Sequence, residues 1–210
     1  MWDRDITRFL SSDYVPLYNP IEEYLYNTGR WDGKDRIRAL ACLVPCHNPH
    51  WRELFYRWFL GMVAHWRGID KQHGNNTSPL LVGPQGYRKS TFCRILLPPE
   101  LRFGYTDSID FKSKQEAERS LGRFFLINID EFDQINANQQ GFLKHLLQKP
   151  VANLRKPYGS TIQEMRRYAS FIGTSNLKDL LTDPSGSRRF ICIEVTGPIQ
   201  TNVTINYRQL

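Results

Sequence analysis

Between positions 50 and 67 the apolar residues Leu54, Phe55, Trp58, Phe59, Met62 and Val63 recur three and four apart, the stripe of one amphipathic helix. Upstream, Asn19-Pro20 precedes Ile21-Glu22-Glu23-Tyr24-Leu25, an amide cap followed by proline in a first turn, so this half reads as helical. Gly74-Asn75-Asn76-Thr77-Ser78-Pro79 is a turn-rich junction. Beyond it the pattern changes. Short apolar runs at 80–82, 124–129, 168–173 and 190–195, bounded by Gly, Pro, Asn or Asp, alternate with helical stretches such as 138–148. Runs of that kind suit strands buried on both faces, which predicts an α/β fold with a parallel sheet flanked by helices. The expected division is a small helical N-terminal domain, 1–75, and a sheet-containing core, 76–210. The polar end at Gln209-Leu210 carries no stop signal, so the chain reads as a candidate fragment cut before a C-terminal helical lid.

Forty per cent hydrophobic and 13% aromatic residues over 210 positions suffice for a sizeable core. No run of eighteen apolar residues occurs, and acids stand near the start, where a signal peptide needs a basic and then an apolar stretch. A cytoplasmic protein without a membrane partner is expected. Four irregularly spaced cysteines, Cys42, Cys46, Cys93 and Cys192, argue for thiols rather than a disulfide framework. A net charge of +7 permits a polyanionic partner without specifying one.

The chemistry gathers after the run at 80–82. Gly83-Pro84-Gln85-Gly86-Tyr87-Arg88-Lys89-Ser90-Thr91 precedes an apolar stretch able to begin a helix, the outline of a phosphate-binding Walker A loop. Main-chain N–H groups would wrap a phosphate, Lys89 would neutralise outer phosphoryl oxygens, and the Ser90 hydroxyl would ligate Mg²⁺. The usual pattern has glycine directly before the lysine; here Arg88 stands there, and it either points outward or adds a cation to the site.

The run at 124–129 leads into Asp130-Glu131, two carboxylates at the C-terminal end of a buried strand, where open α/β sheets bind ligands. Asp130 would hold Mg²⁺ and Glu131 would polarise the attacking water; the bland reading is an acidic helix cap. The next strand ends in Thr174-Ser175-Asn176, whose amide either orients that water or caps a turn. Arg188-Arg189 directly precede the run at 190–195. In a ring-shaped ATPase one of them would reach a neighbouring subunit's outer phosphate as an arginine finger; in the bland reading they are surface ion-pair partners.

Asn19-Pro20-Ile21, Trp31-Asp32-Gly33-Lys34, Gly83-Pro84-Gln85-Gly86, Lys89-Ser90-Thr91, Asp130-Glu131, Tyr158-Gly159, Thr174-Ser175-Asn176 and Arg188-Arg189-Phe190 together resemble the virulence-associated E family across nearly the whole chain. That family is similar to superfamily three helicases, P-loop ATPases of the AAA+ kind found with primases in phages and other mobile genetic elements. The resemblance implies ATP and Mg²⁺, single-stranded or forked DNA, a hexameric ring and a primase domain or partner. It also implies a hairpin or arginine cluster near the nucleotide or the central pore. Arg155, Lys156 and Tyr158 are there the candidate nucleic-acid contacts, with Arg166 and Arg167 beyond, although a solvated turn explains cations beside an aromatic equally well.

Cys42-x3-Cys46-His47-x2-His50 has metal-ligand residue types, but Pro45 and Pro49 interrupt it and no second pair follows at finger spacing. The leading expectation is therefore an ATP-dependent DNA helicase or replication-initiation motor of a mobile element. Two rivals share the loop: a nucleotide-dependent switch that binds and assembles without productive hydrolysis, and a small-molecule kinase. The kinase leaves the Asp-Glu, Thr-Ser-Asn and Arg-Arg series unexplained.

Overall fold

A computed structural model of the chain describes residues 3–10, 12, 14, 15, 18–69, 72–155, 162–177 and 187–210, with backbone alone at 153–155, 162, 163 and 187. Helices α1 (Asp3–Leu10), α2 (Pro20–Tyr26), α3 (Arg36–Ala41) and α4 (Trp51–Arg67) come first. Then follow β1 (Ser78–Val82), α5 (Lys89–Ile95), β2 (Tyr105–Thr106), α6 (Lys114–Arg123), β3 (Leu126–Ile129), α7 (Ala137–Gln148), β4 (Val151–Arg155), β5 (Ile162–Arg166), β6 (Ser170–Ser175) and β7 (Phe190–Glu194).

Local chemistry accounts for the helix ends. Asn19 Oδ1 accepts from the backbone N–H of Ile21 at 3.1 Å ahead of Pro20, as the sequence predicts for α2. Asn136 and Gln139 form a reciprocal capping box at α7. The long α4 stops at Gly68, whose φ of 62° is left-handed and allows the last turn to be capped by main-chain N–H groups.

Five parallel strands form one sheet in the order β2-β3-β6-β1-β7, and β4 and β5 pair separately as an antiparallel hairpin. Alternation along the strands divides the core. Leu81, Leu126, Ile172 and Ile193 face a layer holding Phe55, Trp58, Phe59 and Met62 of α4 with Phe92 and Leu96 at α5. Leu80, Val82, Ile127, Ile129 and Phe171 face the other way, against Ala117 and Leu121 of α6 and Leu143, Leu146 and Leu147 of α7. Burial on both faces is why these strands read as unbroken apolar runs.

Helices α2, α3 and α4 therefore share one core with the sheet. Trp58 Nε1 donates to the Phe171 carbonyl of β6 at 3.1 Å. Asn75, in the predicted junction, donates through its amide to the Trp58 carbonyl and Ser170 Oγ, both at 3.0 Å, and through its backbone N–H to His65 Nε2 at 2.7 Å.

The strand boundaries shift in informative ways. β1 begins at Ser78 and includes Pro79, which the turn composition had assigned to the junction; a proline near a strand's start removes only one ladder donor. β6 starts and ends two residues later than the apolar run, carrying Thr174 and Ser175 within the ladder. The two-residue β2 and the helix α6 carry no period visible in the sequence, since α6 buries only Ala117 and Leu121. Among the described residues no helix is long and apolar enough to cross a membrane.

Candidate functional site

β1, β3 and β6 are neighbours and run in the same direction, so their C-terminal ends open together, next to the strand where the order of connections reverses. The loop after β1, the acidic turn after β3 and the end of β6 meet there around a cavity of about 340 Å³. Lys89 is 6% exposed, and its ammonium donates to the carbonyls of Gly83 at 2.6 Å and Pro84 at 2.9 Å and to Asn176 Oδ1 at 3.2 Å. Burial pulls the Lys89 ammonium below its ordinary value, and the carboxylates of Asp130 and Asp133 oppose that pull.

Ser90 Oγ donates to Asp130 Oδ1 at 2.8 Å, and the same oxygen accepts a hydrogen bond from Thr174 Oγ1. A serine hydroxyl and a carboxylate brought together beside this cavity are a hard-oxygen pair that fits Mg²⁺, which takes few protein ligands when phosphates supply others. Glu131 is exposed and lines the same cavity. Its φ of 50° and ψ of 50° place it in the left-handed region, a backbone state costing about 1 kcal/mol or more.

Arg88 shares that conformation, with φ 59° and ψ 29°. The position where a Walker loop ordinarily has glycine thus keeps a glycine-like backbone under an arginine side chain, which is exposed and lines the cavity. Gly86, with φ 88° and no atom within 4 Å of where a Cβ would stand, makes the turn of the loop. Gln85 and Thr91 also line the cavity, whereas Tyr87 packs partly buried against the core.

Asp133, which the sequence reading did not single out, completes the acidic turn. Its Oδ1 accepts from Ser175 Oγ at 2.7 Å and from the backbone N–H of Asn176 at 3.2 Å. Partial burial raises its affinity for a proton, but the bonds from Ser175, Gln134 and Asn176 prevail and hold the carboxyl below its ordinary value. It thereby fixes the end of β6 against the turn after β3. The visible signal was a third acid in Asp130-Glu131-Phe132-Asp133; without the β3–β6 pairing it had no assigned partner.

The remaining predicted residues lie elsewhere. Arg188, exposed, and Arg189, half-buried, sit in a single 3-10 turn before β7. Phe190 pairs with Ser78 in parallel register, so this turn lies at the N-terminal edge of the sheet. The length of β1, about 13 Å, separates it from the loop 83–91 of the same chain. Lys156 and Tyr158 lie outside the described residues, and of Arg155 only the backbone, in β4, is described.

Of the expected hairpin, arginine cluster or solvated turn, β4 and β5 form an antiparallel hairpin, and Arg167 beyond it is not in a solvated turn. It is 1% exposed, and its guanidinium donates to the carbonyls of Leu146 and Leu147 at 3.0 Å, of Lys149 at 2.5 Å and of Ala169 at 2.7 Å. Burial pulls it down to about 9, still a cation at neutral pH, and it serves as a cap for the C-terminal end of α7. The Cys42–His50 segment contributes instead to the architecture, through the Pro45 carbonyl, which accepts from the backbone N–H of Thr196 at 2.8 Å. Trp31-Asp32-Gly33-Lys34 is a second clip: Asp32 pairs with Arg36 at 2.6 Å and its backbone N–H donates to Gln209 Oε1 at 2.8 Å.

Comparison with known proteins bears on the family and the fold. No curated protein matches the chain in sequence. Among solved structures, the apo C-terminal region of NrS-1, residues 305–718, superposes with a TM-score of 0.58 at 14% identity, over 89% of this chain and 44% of that one. An A-form apo structure of the same region gives a TM-score of 0.56 at 13% identity, over 89% and 44%. A structure of JCV helicase with a bound thiazolopyridine compound gives 0.46 at 14% identity, over 91% and 56%. The chain thus spans less than half the length of the NrS-1 region, and that likeness is one of fold. The profile of the virulence-associated protein E-like domain matches residues 25–210, and the chain belongs to that family.

Proposed function

We propose that this chain is the ATP-hydrolysing core of a DNA helicase or replication-initiation motor of a mobile element, similar in plan to superfamily three helicases. The observation that carries the reading is the hydrogen-bonded set Lys89, Asn176, Ser90, Asp130 and Thr174, drawn from three adjacent strand ends around one cavity. A small-molecule or nucleotide kinase would share the loop with Lys89 and Ser90, but it leaves the Asp130-Glu131 pair, the Thr174-Ser175-Asn176 strand end and the arginine pair before β7 unexplained.

In this reading the loop 83–91 holds the phosphates of ATP, and Lys89 neutralises the outer oxygens once they replace its carbonyl partners. Ser90 and Asp130 would hold Mg²⁺, which supplies neutralising charge to the phosphates. Glu131 accepts the proton of the attacking water, and Asn176 orients that water without competing for the proton. Arg188 or Arg189, at the edge of the sheet opposite the chain's own cavity, would serve a neighbouring subunit in a homo-oligomeric ring, the hexamer that the family resemblance suggests. Single-stranded or forked DNA is the proposed substrate, with Arg155, Lys156 and Tyr158 as contacts, and a primase domain or partner is the proposed associate. The net charge of +7 suits that partner.

The test is nucleotide binding and turnover with and without single-stranded DNA. Lys89→Ala is expected to abolish nucleotide binding, and Glu131→Gln to keep binding while turnover falls at least about a hundredfold. Undiminished affinity in Lys89→Ala would remove the basis of the assignment. Binding without any turnover in the unmodified protein would favour the nucleotide-dependent switch, a second reading supported by the strained backbone at Arg88 and Glu131.

A further inference from the structure

The nucleotide reading leaves Arg88 without a role, and the cavity's charges supply one. Two carboxylates, Asp130 and Glu131, line the cavity together with two cations, Lys89 and Arg88. Without Arg88 the walls would carry a net negative charge, an unfavourable setting for a polyphosphate before any divalent ion enters. The two cations are also differently engaged. Lys89 is buried and already bonded to two loop carbonyls and to Asn176. Arg88 is exposed and lines the cavity; its carbonyl accepts from the Phe92 N–H at 2.9 Å, but its guanidinium has no hydrogen-bond or ion-pair partner among the described residues and does not cap the helix that it precedes.

We propose that Arg88 recognises the outermost phosphoryl group of the bound nucleotide, making this cavity selective for a nucleoside triphosphate over the diphosphate. The inference rests on the nucleotide reading and adds to it a residue that discriminates substrate from product. Three physical points carry it. The Arg88 guanidinium lines the same cavity as Glu131 and Asn176, which the nucleotide reading puts beside the outermost phosphoryl group, so it meets the group that triphosphate has and diphosphate lacks. Its planar fork matches two oxygens of one phosphoryl group, which a point charge does not. The left-handed backbone at 88, a state glycine adopts more easily, is retained with an arginine in place. An interaction made by the side chain offsets that strain in the loaded state.

The experiment is calorimetric titration of the full chain with ADP and with β,γ-imido-ATP, each with excess Mg²⁺, at low and high salt. Unmodified protein is expected to prefer the triphosphate analogue. Arg88→Gln keeps the backbone and the approximate size but removes the charge; it should lose about tenfold or more in affinity for the analogue and less than about twofold for ADP. Arg88→Gly should do the same while melting at a higher temperature, which separates loss of the contact from loss of the fold. Arg88→Lys should retain part of the preference, and rising salt should erode it. Arg88→Gln with an unchanged preference overturns the proposal, as does Arg88→Gly binding both nucleotides more tightly, because the side chain would then obstruct the cavity. Lys89→Ala, run alongside, keeps the two claims apart. If it leaves both affinities intact, the nucleotide site itself is misassigned, whatever the Arg88 variants do.

Discussion

Arg167 shows how far burial can redirect a cation. A guanidinium with 1% exposure retains its charge at neutral pH because four main-chain carbonyls accept from it, three of them at the end of α7. Arg167→Ala is expected to leave those acceptors buried and unpaired, lowering stability by about 3 kcal/mol in a denaturant titration. Arg167→Lys should recover little, since one ammonium cannot reach carbonyls that a fork spans. Asp133 sets a pH dependence. Its carboxyl is held below the ordinary value, so its stabilising effect is complete above the unfolded value of about 4 and is lost as pH falls through the lower folded value. Stability should therefore climb with pH across the acid range, and Asp133→Asn should flatten that climb. An unchanged slope in the variant would show that the lock between Asp133, Ser175 and Asn176 contributes nothing to folding.

Helix α4 is the element on which one face of the sheet rests, and its end is as constrained as its middle. Gly68 is left-handed, and a Cβ there would stand 2.7 Å from Arg166 Cζ. Gly68→Ala should cost about 1 kcal/mol or more, read as a drop in melting temperature of several degrees. A drop no larger than that of an exposed helix substitution would mean that the chain leaves α4 by another route. The strand ends have a different logic. Thr174 and Ser175 stay inside β6 while turning their hydroxyls to Asp130 and Asp133, so the ladder itself aims the groups that line the cavity. A site supported by strands in this way holds its geometry more tightly than one carried on a long loop.

The proposed roles fall at two ends of the sheet. The candidate cavity opens at the C-terminal ends of the strands, while Arg188 and Arg189 stand at the other edge, beside the start of β1. That separation of about 13 Å or more argues against a role for either arginine at the chain's own cavity. If the arginines act across a subunit boundary, mixing Arg188→Ala, Arg189→Ala protein with Lys89→Ala protein should restore part of the turnover that each lacks alone. Restoration of nothing above the two separate backgrounds would remove the trans assignment.

The linear order of residues carried the chemistry because each motif is local. A glycine-bearing loop with Lys89-Ser90, an apolar run ending in Asp130-Glu131 and a strand ending in Thr174-Ser175-Asn176 each need only neighbours in the chain to be recognised. The parallel sheet was legible for the same reason, since strands buried on both faces write unbroken apolar runs. Contacts between distant residues were not legible. The pairing of β3 with β6 gives Asp133 its partners, the packing of α7 against the chain before β6 makes Arg167 a buried cap, and the parallel register of β7 with β1 sends Arg188 and Arg189 to the far edge. Each depends on residues tens of positions apart, and the free energy that selects such contacts comes from burying both partners at once. That quantity belongs to the folded arrangement and to no single stretch of the chain.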